Sequence, residues 1–276
     1  MPNLIVLLPA KNEEKGIGEV IRRIPKEEIE GKGFNLMVVV VDGHSSDRTC
    51  EIANELGARV IHQTGDRGKG EGVREALSII EEDLSVEKSL LIMLDADATY
   101  SPEDIPRFID HLEEYDVVWG SRIRGEIEKG AMTITNWIGN KVLSLTATTF
   151  FFRRTTDLCT GFWSFRNTAL GEISLTADGF NLEADLFGSV VKSKLKTFEI
   201  PIDYAHREGN SSLRWYYDGP RIMLMIVWIS NAAIYYGVVL LTTELIQMND
   251  EQAVTAKVNS TNRRMLLQQN AVESAD

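Results

Sequence analysis

Four short runs of unbroken apolar residues, separated by stretches with helical spacing, constrain this chain more than any other feature. Leu4 to Leu8 is stopped by Pro9 and the polar Lys11-Asn12-Glu13-Glu14, after which Ile17, Val20, Ile21 and Ile24 recur at helical intervals. Leu36 to Val41 runs into Asp42-Gly43-His44-Ser45-Ser46-Asp47, and Thr49 to Leu56 then reads as a helix closed by Gly57. Val60 and Ile61 predict a third strand, Gly68-Lys69-Gly70 opens a helix through Ile80, and Ser89 to Leu94 is a fourth strand ending at Asp95. Pro102 to Tyr115 continues as helix and Asp116 to Trp119 as strand. A strand that is apolar at every position leaves neither face for water. Such strands, alternating with helices, form a mostly parallel α/β sheet with helices on both faces. Ligands of these sheets sit beyond the carboxyl ends of the strands, so Lys11 to Glu13, Asp42 to Asp47 and Asp95 to Asp97 are expected to converge.

The residues at those strand ends carry recognisable chemistry. Asp95-Ala96-Asp97 follows an apolar strand directly and offers two hard carboxylates, ligands suited to Mg2+ or Mn2+ shared with substrate phosphates. A solvated turn is the alternative. Asp42 ends a strand in the same way, and Gly43 lets the backbone turn there. Its carboxylate can accept from a base N–H or a ribose hydroxyl, while Ser45, Ser46 or Asp47 can cap the following helix. Gly68-Lys69-Gly70 could bring backbone amides and one cation to a diphosphate, though without full P-loop spacing.

Charge and the apolar segments bear on partners and location. A formal net charge of -12 repels nucleic acid phosphates, which excludes a general nucleic-acid binder. Cys50 and Cys159 are too few for a disulfide framework, lack the paired spacing of a zinc site, and are expected to be small buried apolar residues. The N-terminus has no basic n-region and reads as the first strand, not a signal peptide. From Ala131 to Phe152 only Lys141 is charged, a pattern that fits a core helix or one at a membrane interface, with Arg153 and Arg154 flanking it. Residues 222–243 contain no charge at all, and as a helix would span roughly 33 Å, enough for a bilayer core of about 30 Å. A buried helix or a homo-oligomer seam is the alternative. Arg207, Arg214 and Arg221 precede this segment, and the positive-inside tendency then puts the enzyme at the cell membrane with its catalytic domain on the cytoplasmic face. The expected organisation is a catalytic domain over 1–215, a membrane-associated segment over 216–246, and a polar flexible tail over 247–276.

Taken together and in order, Pro9-Ala10-Lys11-Asn12-Glu13, Val40 to Thr49, Gly68-Lys69-Gly70, Asp95 to Thr99 and Gly120-Ser121-Arg122 resemble glycosyltransferase family 2, and within it the dolichyl-phosphate mannose or glucose synthases. The likeness continues through Asp157 to Phe162, Gly179 to Glu183 and Arg207 to Ser211. It implies a GT-A fold, the α/β fold of nucleotide-diphospho-sugar transferases, here with an added C-terminal apolar membrane-associated helix. It further implies that Pro9, Ala10, Asn12, Glu13, Asp42 and Gly43 hold the nucleoside, and that Asp95, Ala96 and Asp97 handle metal and diphosphate. Lys69, Gly70, Gly161, Glu183 and Ser211 join the substrate site, and Arg122 and Arg207 meet phosphate near the reacting centre. One departure stands out. Ser212 occupies a position where the family commonly has Lys, and Arg214 follows just after it as a replacement cation.

The implied reaction is inverting transfer of mannose or glucose from GDP-mannose or UDP-glucose to a polyprenyl phosphate such as dolichyl phosphate. Such a phosphate monoester has its second pKa near about 6 and is largely a dianion at neutral pH, so no strong general base is required. A hydroxyl acceptor would need one, for which Glu183 or Asp157 are candidates. A nucleotide or divalent-ion sensor would leave Arg122, Arg207 and the apolar segment without a role, and a nucleotidyltransferase would want a Gly-rich, Lys-containing signature after the first strand.

Overall fold

The computed structural model of the chain describes residues 1–65, 68–179, 181–207 and 218–230. Along the chain these form β1 (Asn3–Ala10), α1 (Ile17–Arg23), α2 (Lys26–Gly31), β2 (Asn35–Asp42), α3 (Thr49–Glu55), β3 (Arg59–His62), α4 (Lys69–Ile79), α5 (Glu81–Leu84) and β4 (Leu90–Met93). After a 3-10 turn over Pro102–Asp104 come α6 (Ile105–His111), β5 (Val117–Ser121), α7 (Ile134–Phe151), β6 (Trp163–Arg166), α8 (Asn167–Leu170), α9 (Leu182–Lys192) and β7 (Thr197–Pro201). Residues 218–230 are helical as well.

The seven strands make one sheet in the order β3-β2-β1-β4-β6-β5-β7. Every pairing is parallel except those of β6, which runs antiparallel to both β4 and β5. The unbroken apolar run of β1 has the physical reason expected of it. Leu4, Val6 and Leu8 pack into one core with α1, α2, α3 and α6, while Ile5 and Leu7 pack into the other with α4, α7, α9 and residues 222–229. From β1 the chain builds outwards through β2 to β3, then returns to place β4 on the other side of β1. Loops leaving β1 and β4 therefore diverge, and the crevice lies at this switch point.

The helix expected over Pro102 to Tyr115 is shorter. Pro102 and Pro106 lack the amide hydrogens that would continue an i to i−4 ladder at the start, so a 3-10 turn precedes α6, and the chain leaves the helix after His111. The nearly uncharged stretch after residue 131 is α7, opened by Thr133, whose hydroxyl accepts from the Asn136 amide, and closed by Phe152 in the left-handed region. It belongs half to the core and half to the surface. Leu143, Ala147 and Phe151 are buried, whereas Ile134, Ile138, Val142 and Leu145 are exposed. Arg153 does not stand free beside it, because its guanidinium donates to the Thr197 carbonyl at 3.1 Å and to the Thr197 hydroxyl.

Met1–Ser230 is one compact unit. Ile222, Ile226 and Ile229 are part of its core, and Leu224 and Trp228 are exposed. The rest of the apolar segment expected over 222–243 and the tail over 247–276 lie outside the described residues. Among the described residues no helix is long and apolar enough to cross a membrane.

Candidate active site

Each of the three strand tips turns back on itself through a non-glycine residue in the left-handed region: Asn12 after β1 (φ 57°), His44 after β2 (φ 63°) and Ala98 after β4 (φ 61°). Backbone of this kind persists only where its surroundings hold it. Here the first two loops hold each other. The Asn12 amide donates to the Ser45 hydroxyl (2.9 Å), the Ser46 amide donates to Asn12 Oδ1 (2.8 Å), and the Glu13 amide donates to the Thr49 hydroxyl (2.8 Å). Glu14 and Asp47 join in the same way, with the Glu14 amide on Asp47 Oδ2 at 3.1 Å. Gly16 brings α1 against the third loop, where any Cβ would lie 2.8 Å from the Ala96 carbonyl oxygen.

Behind these loops lies a cavity of about 860 Å3 with three kinds of wall. Pro9, Ala10, Lys11, Gly43, His44 and Gln63 line the part between β1 and β2. Charged groups line the middle: Glu13, Lys69, Asp95, Asp97, Arg122, Glu183 and Arg207. The last part runs between α7 and the start of the 218–230 helix, where Ala131, Met132, Gly139, Val142, Leu143, Pro220, Ile222 and Met223 make it mostly apolar, with Thr135, Asn136 and Asn140 among them.

In the charged middle the ion pairs alternate. Lys69 Nζ lies 2.6 Å from Asp95 Oδ1 and 2.8 Å from Glu183 Oε1, and one Arg207 guanidinium serves both Asp97 (3.0 Å) and Glu13. Burial works against the Asp95 charge, but the Lys69 ammonium outweighs it and holds this carboxyl below its usual range. Asp97 is shifted the other way, raised by burial and by the neighbouring Asp95 charge. Glu13 is pushed up to about 7, first by burial and then, against the pull of Arg207, by Asp97 and Asp95. Negative charge is in excess here. Two buried atoms mark what is missing: among the described residues, Glu13 Oε2 and Arg207 Nε have no hydrogen-bond partner. An orphaned carboxylate oxygen beside two more carboxylates fits a divalent cation, and an orphaned guanidinium N–H fits a phosphate oxygen. Asp95 and Asp97 are the residues that would hold Mg2+ or Mn2+, with the remaining positions left to water and phosphate.

Arg122 is built in differently. Its backbone amide, Nε and Nη2 all donate to Asp157, at 2.9, 2.7 and 2.7 Å, and Nη2 also reaches the Cys159 carbonyl (2.7 Å). Asn140 of α7 donates to the same Asp157 at 2.6 Å, and the Tyr204 ring lies 5.1 Å under the guanidinium carbon. Asp157 is fully buried and saturated, hence unsuited to act as a base.

The sequence-derived residues thus divide. Pro9, Ala10, Glu13, Gly43, Lys69, Asp95, Ala96, Asp97, Arg122, Glu183 and Arg207 share the cavity. Asn12 instead fastens the β2 loop, and Gly70 serves close packing, since a Cβ there would meet the Ala177 carbonyl oxygen at 2.5 Å. Gly161 lies behind Asp95, whose carboxylate would overlap any added Cβ. Asp42 ends β2 with Oδ1 accepting from the Ser45 amide (3.0 Å) and Oδ2 facing His62 Nδ1 (3.2 Å), so its carboxylate is not free as the sequence suggested. Ser211 and Arg214 lie outside the described residues. Sequence reasoning missed Tyr204, Asn140 and Tyr100, whose hydroxyl accepts from the Gly161 amide at 2.7 Å. Asn140 alone left a trace, as a polar residue inside a nearly uncharged stretch.

Residues 5–174 match the profile of Glycosyl transferase family 2. Glycosyltransferase AglJ of Haloferax volcanii is 34% identical over 207 residues, 75% of this chain and 64% of that protein, so the chain spans less than two thirds of that relative. A dolichyl-phosphate hexose transferase of the same organism is 34% identical over 228 residues, covering 82% of this chain and 92% of the other. Among solved structures, glucosyl-3-phosphoglycerate synthase from Mycobacterium tuberculosis, in complex with Mn2+, UDP and glucosyl-3-phosphoglycerate, superposes with a TM-score of 0.60 at 17% identity, covering 83% of this chain and 80% of that one. At that identity the likeness is one of fold.

Proposed function

The chain belongs to glycosyltransferase family 2, and on that premise we propose that it transfers a hexose from a nucleotide diphosphate donor to a polyprenyl phosphate, inverting the anomeric carbon. The single observation behind this reading is a cavity with two chemistries, charged between the strand tips and mostly apolar between α7 and residues 219–223. A phosphate carrying a long apolar tail has the same two chemistries. The name of the 34% identical dolichyl-phosphate hexose transferase supports it.

In this reading the nucleoside lies against Pro9, Ala10, Gly43 and His44, and the diphosphate reaches Asp95, Asp97 and Arg207. Bound at Asp95 and Asp97, Mg2+ or Mn2+ supplies positive charge to the departing diphosphate. Lys69 keeps Asp95 ionised, and Arg207 holds Asp97 and Glu13 in place while its orphaned Nε meets phosphate. Arg122, fixed by Asp157, meets the acceptor phosphate, whose own oxygen attacks without a protein base. The donor is taken as GDP-mannose in preference to UDP-glucose on the family resemblance. The acceptor's membrane location is matched by the exposed apolar side chains of α7 and of residues 224 and 228, with the catalytic domain on the cytoplasmic face.

A hydroxyl acceptor is the second reading, and one observation favours it: Glu13 lines the cavity and titrates near neutrality, as a general base should. Radiolabelled GDP-mannose and UDP-glucose, offered with a short-chain polyprenyl phosphate or with a free sugar in the presence of Mn2+, separate the two. Label in the organic phase with the phosphate alone is expected; label only on the sugar would replace the first reading by the second.

A further inference from the structure

Outside the cavity, at the tip of β2, three side chains from three elements face one another. Asp42 ends β2, His62 ends β3 directly opposite it in the parallel register, and Cys50 is in the first turn of α3. One ligand atom from each, a carboxylate oxygen, Sγ and a ring nitrogen, all lie within 4.8 Å of one another. Among the described residues no other group of three or more His, Cys, Asp or Glu side chains comes together in this way.

We propose that Asp42, Cys50 and His62 form a binding site for a thiophilic divalent cation of the Zn2+ class, separate from the Asp95–Asp97 pair. The donor set selects that class, since thiolate and imidazole prefer borderline and soft metals while Asp95 and Asp97 offer only hard oxygens. Charge balances as well: one carboxylate and one thiolate neutralise a divalent ion, and His62 binds as the neutral ring. Tetrahedral zinc with bonds of about 2.0–2.3 Å needs ligand atoms about 3.3–3.8 Å apart, so closure from the observed separations takes small side-chain movements. The exposed His62 ring is free to make them.

The site is pre-assembled without an ion. Asp42 Oδ2 faces His62 Nδ1 at 3.2 Å, and the Cys50 Sγ lies within 4.8 Å of a ligand atom of each. Asp42 Oδ1 accepts from the Ser45 amide at 3.0 Å, which leaves Oδ2 aimed at the other two groups, the orienting role that outer partners take at metal centres. On binding, the thiol proton leaves for solvent and the Sγ–metal bond takes its place. Three protein ligands leave the fourth position for water.

The test is titration of the full-length, reduced, chelator-treated chain with Co2+ alone, followed by absorption. A thiolate-to-cobalt charge-transfer band in the near ultraviolet, displaced by Zn2+, is the expected result. Asp95 and Asp97 carry no sulfur and cannot produce it. Cys50→Ser should lose the band and Cys159→Ser should keep it. His62→Ala, which removes an exposed side chain and leaves the fold intact, should weaken Co2+ binding by about 100-fold or more, beyond the loss of an outer partner. No band in the wild type, or a band that survives in Cys50→Ser, overturns the proposal. Should Cys50→Ser fail to fold, unchanged Co2+ affinity in His62→Ala overturns it instead.

Discussion

Burial raises the pKa of Glu13 against the pull of Arg207, the guanidinium it shares with Asp97, and the Asp97 and Asp95 charges add to the rise, so stability depends on pH in a direction that can be worked out. Glu13 is raised from 4.5 to about 7, so below pH 4.5 it is protonated both folded and unfolded. Between those values the unfolded chain ionises while the native one holds its proton, and stability is lost as pH rises through the window. Solvent that reaches the group screens part of this, and the loss is about 2 kcal/mol. Glu13→Gln has no such proton to hold. Urea unfolding from pH 4 to 8 should therefore show the variant gaining on the wild type across the window; parallel profiles would mean that Glu13 titrates normally. Asp97 gives a sharper test of the site. Because burial and Asp95 already disfavour its charge, Asp97→Asn, which keeps the Oδ1 that accepts from the Thr99 amide and hydroxyl, should fold with little loss of stability while turnover falls by about 1,000-fold or more, the scale set by losing charge stabilisation at a reacting centre. Near-normal activity in a stable variant would remove Asp97 from the site.

The element that organises the far side of the site is one that apolar runs do not reveal. β7 carries Glu199, whose carboxylate accepts from the Trp119 indole (3.0 Å), the Thr155 hydroxyl (3.0 Å), the Thr156 amide (2.8 Å) and hydroxyl (2.8 Å), and the Asp157 amide (3.3 Å). The loop so held presents Asp157 to Arg122. Glu199→Ala leaves these donors buried without a partner and should cost about 3 kcal/mol, against about 1 kcal/mol for Glu199→Gln, which keeps an acceptor. Thermal unfolding measures both, and equal losses would mean that volume matters there and not the carboxylate. Sequence reading found β1, β2 and β4 because each is buried on both faces and hence apolar throughout. It missed β6 and β7. Trp163 to Arg166 alternates apolar with polar residues over only four positions, and Thr197 to Pro201 has exposed Phe198 and Pro201 on the sheet edge, so neither shows the solid run of a central strand. The site follows the same logic. Asp95, Asp97 and Asp42 follow directly from strands that could be read, whereas Tyr100 reaches Gly161 and Tyr204 reaches Arg122 through contacts that only the folded chain creates.

At the scale of the molecule, an acidic chain carries an apolar face. Ile134, Ile138, Val142 and Leu145 recur along one side of α7, Phe152 follows them, and Leu224 and Trp228 stand exposed on the 218–230 helix. On the proposed membrane reading, a formal net charge of -12 disfavours attraction to anionic headgroups as the driving force. Apolar burial can supply it, at about 1.5–3 kcal/mol for each large side chain. Binding to neutral phosphatidylcholine vesicles should therefore persist at high salt, because screening acts on charges and leaves apolar burial untouched. Ile138→Glu and Leu145→Glu lie on this face and do not line the cavity. Each should weaken vesicle sedimentation by about 30-fold, the factor that about 2 kcal/mol represents. Turnover of a short, water-soluble polyprenyl phosphate should be unchanged in both variants, since the walls around the reacting groups are intact. Binding that appears only with anionic lipid and vanishes in salt would place the contact on basic residues instead, and the exposed face of α7 would then need another partner.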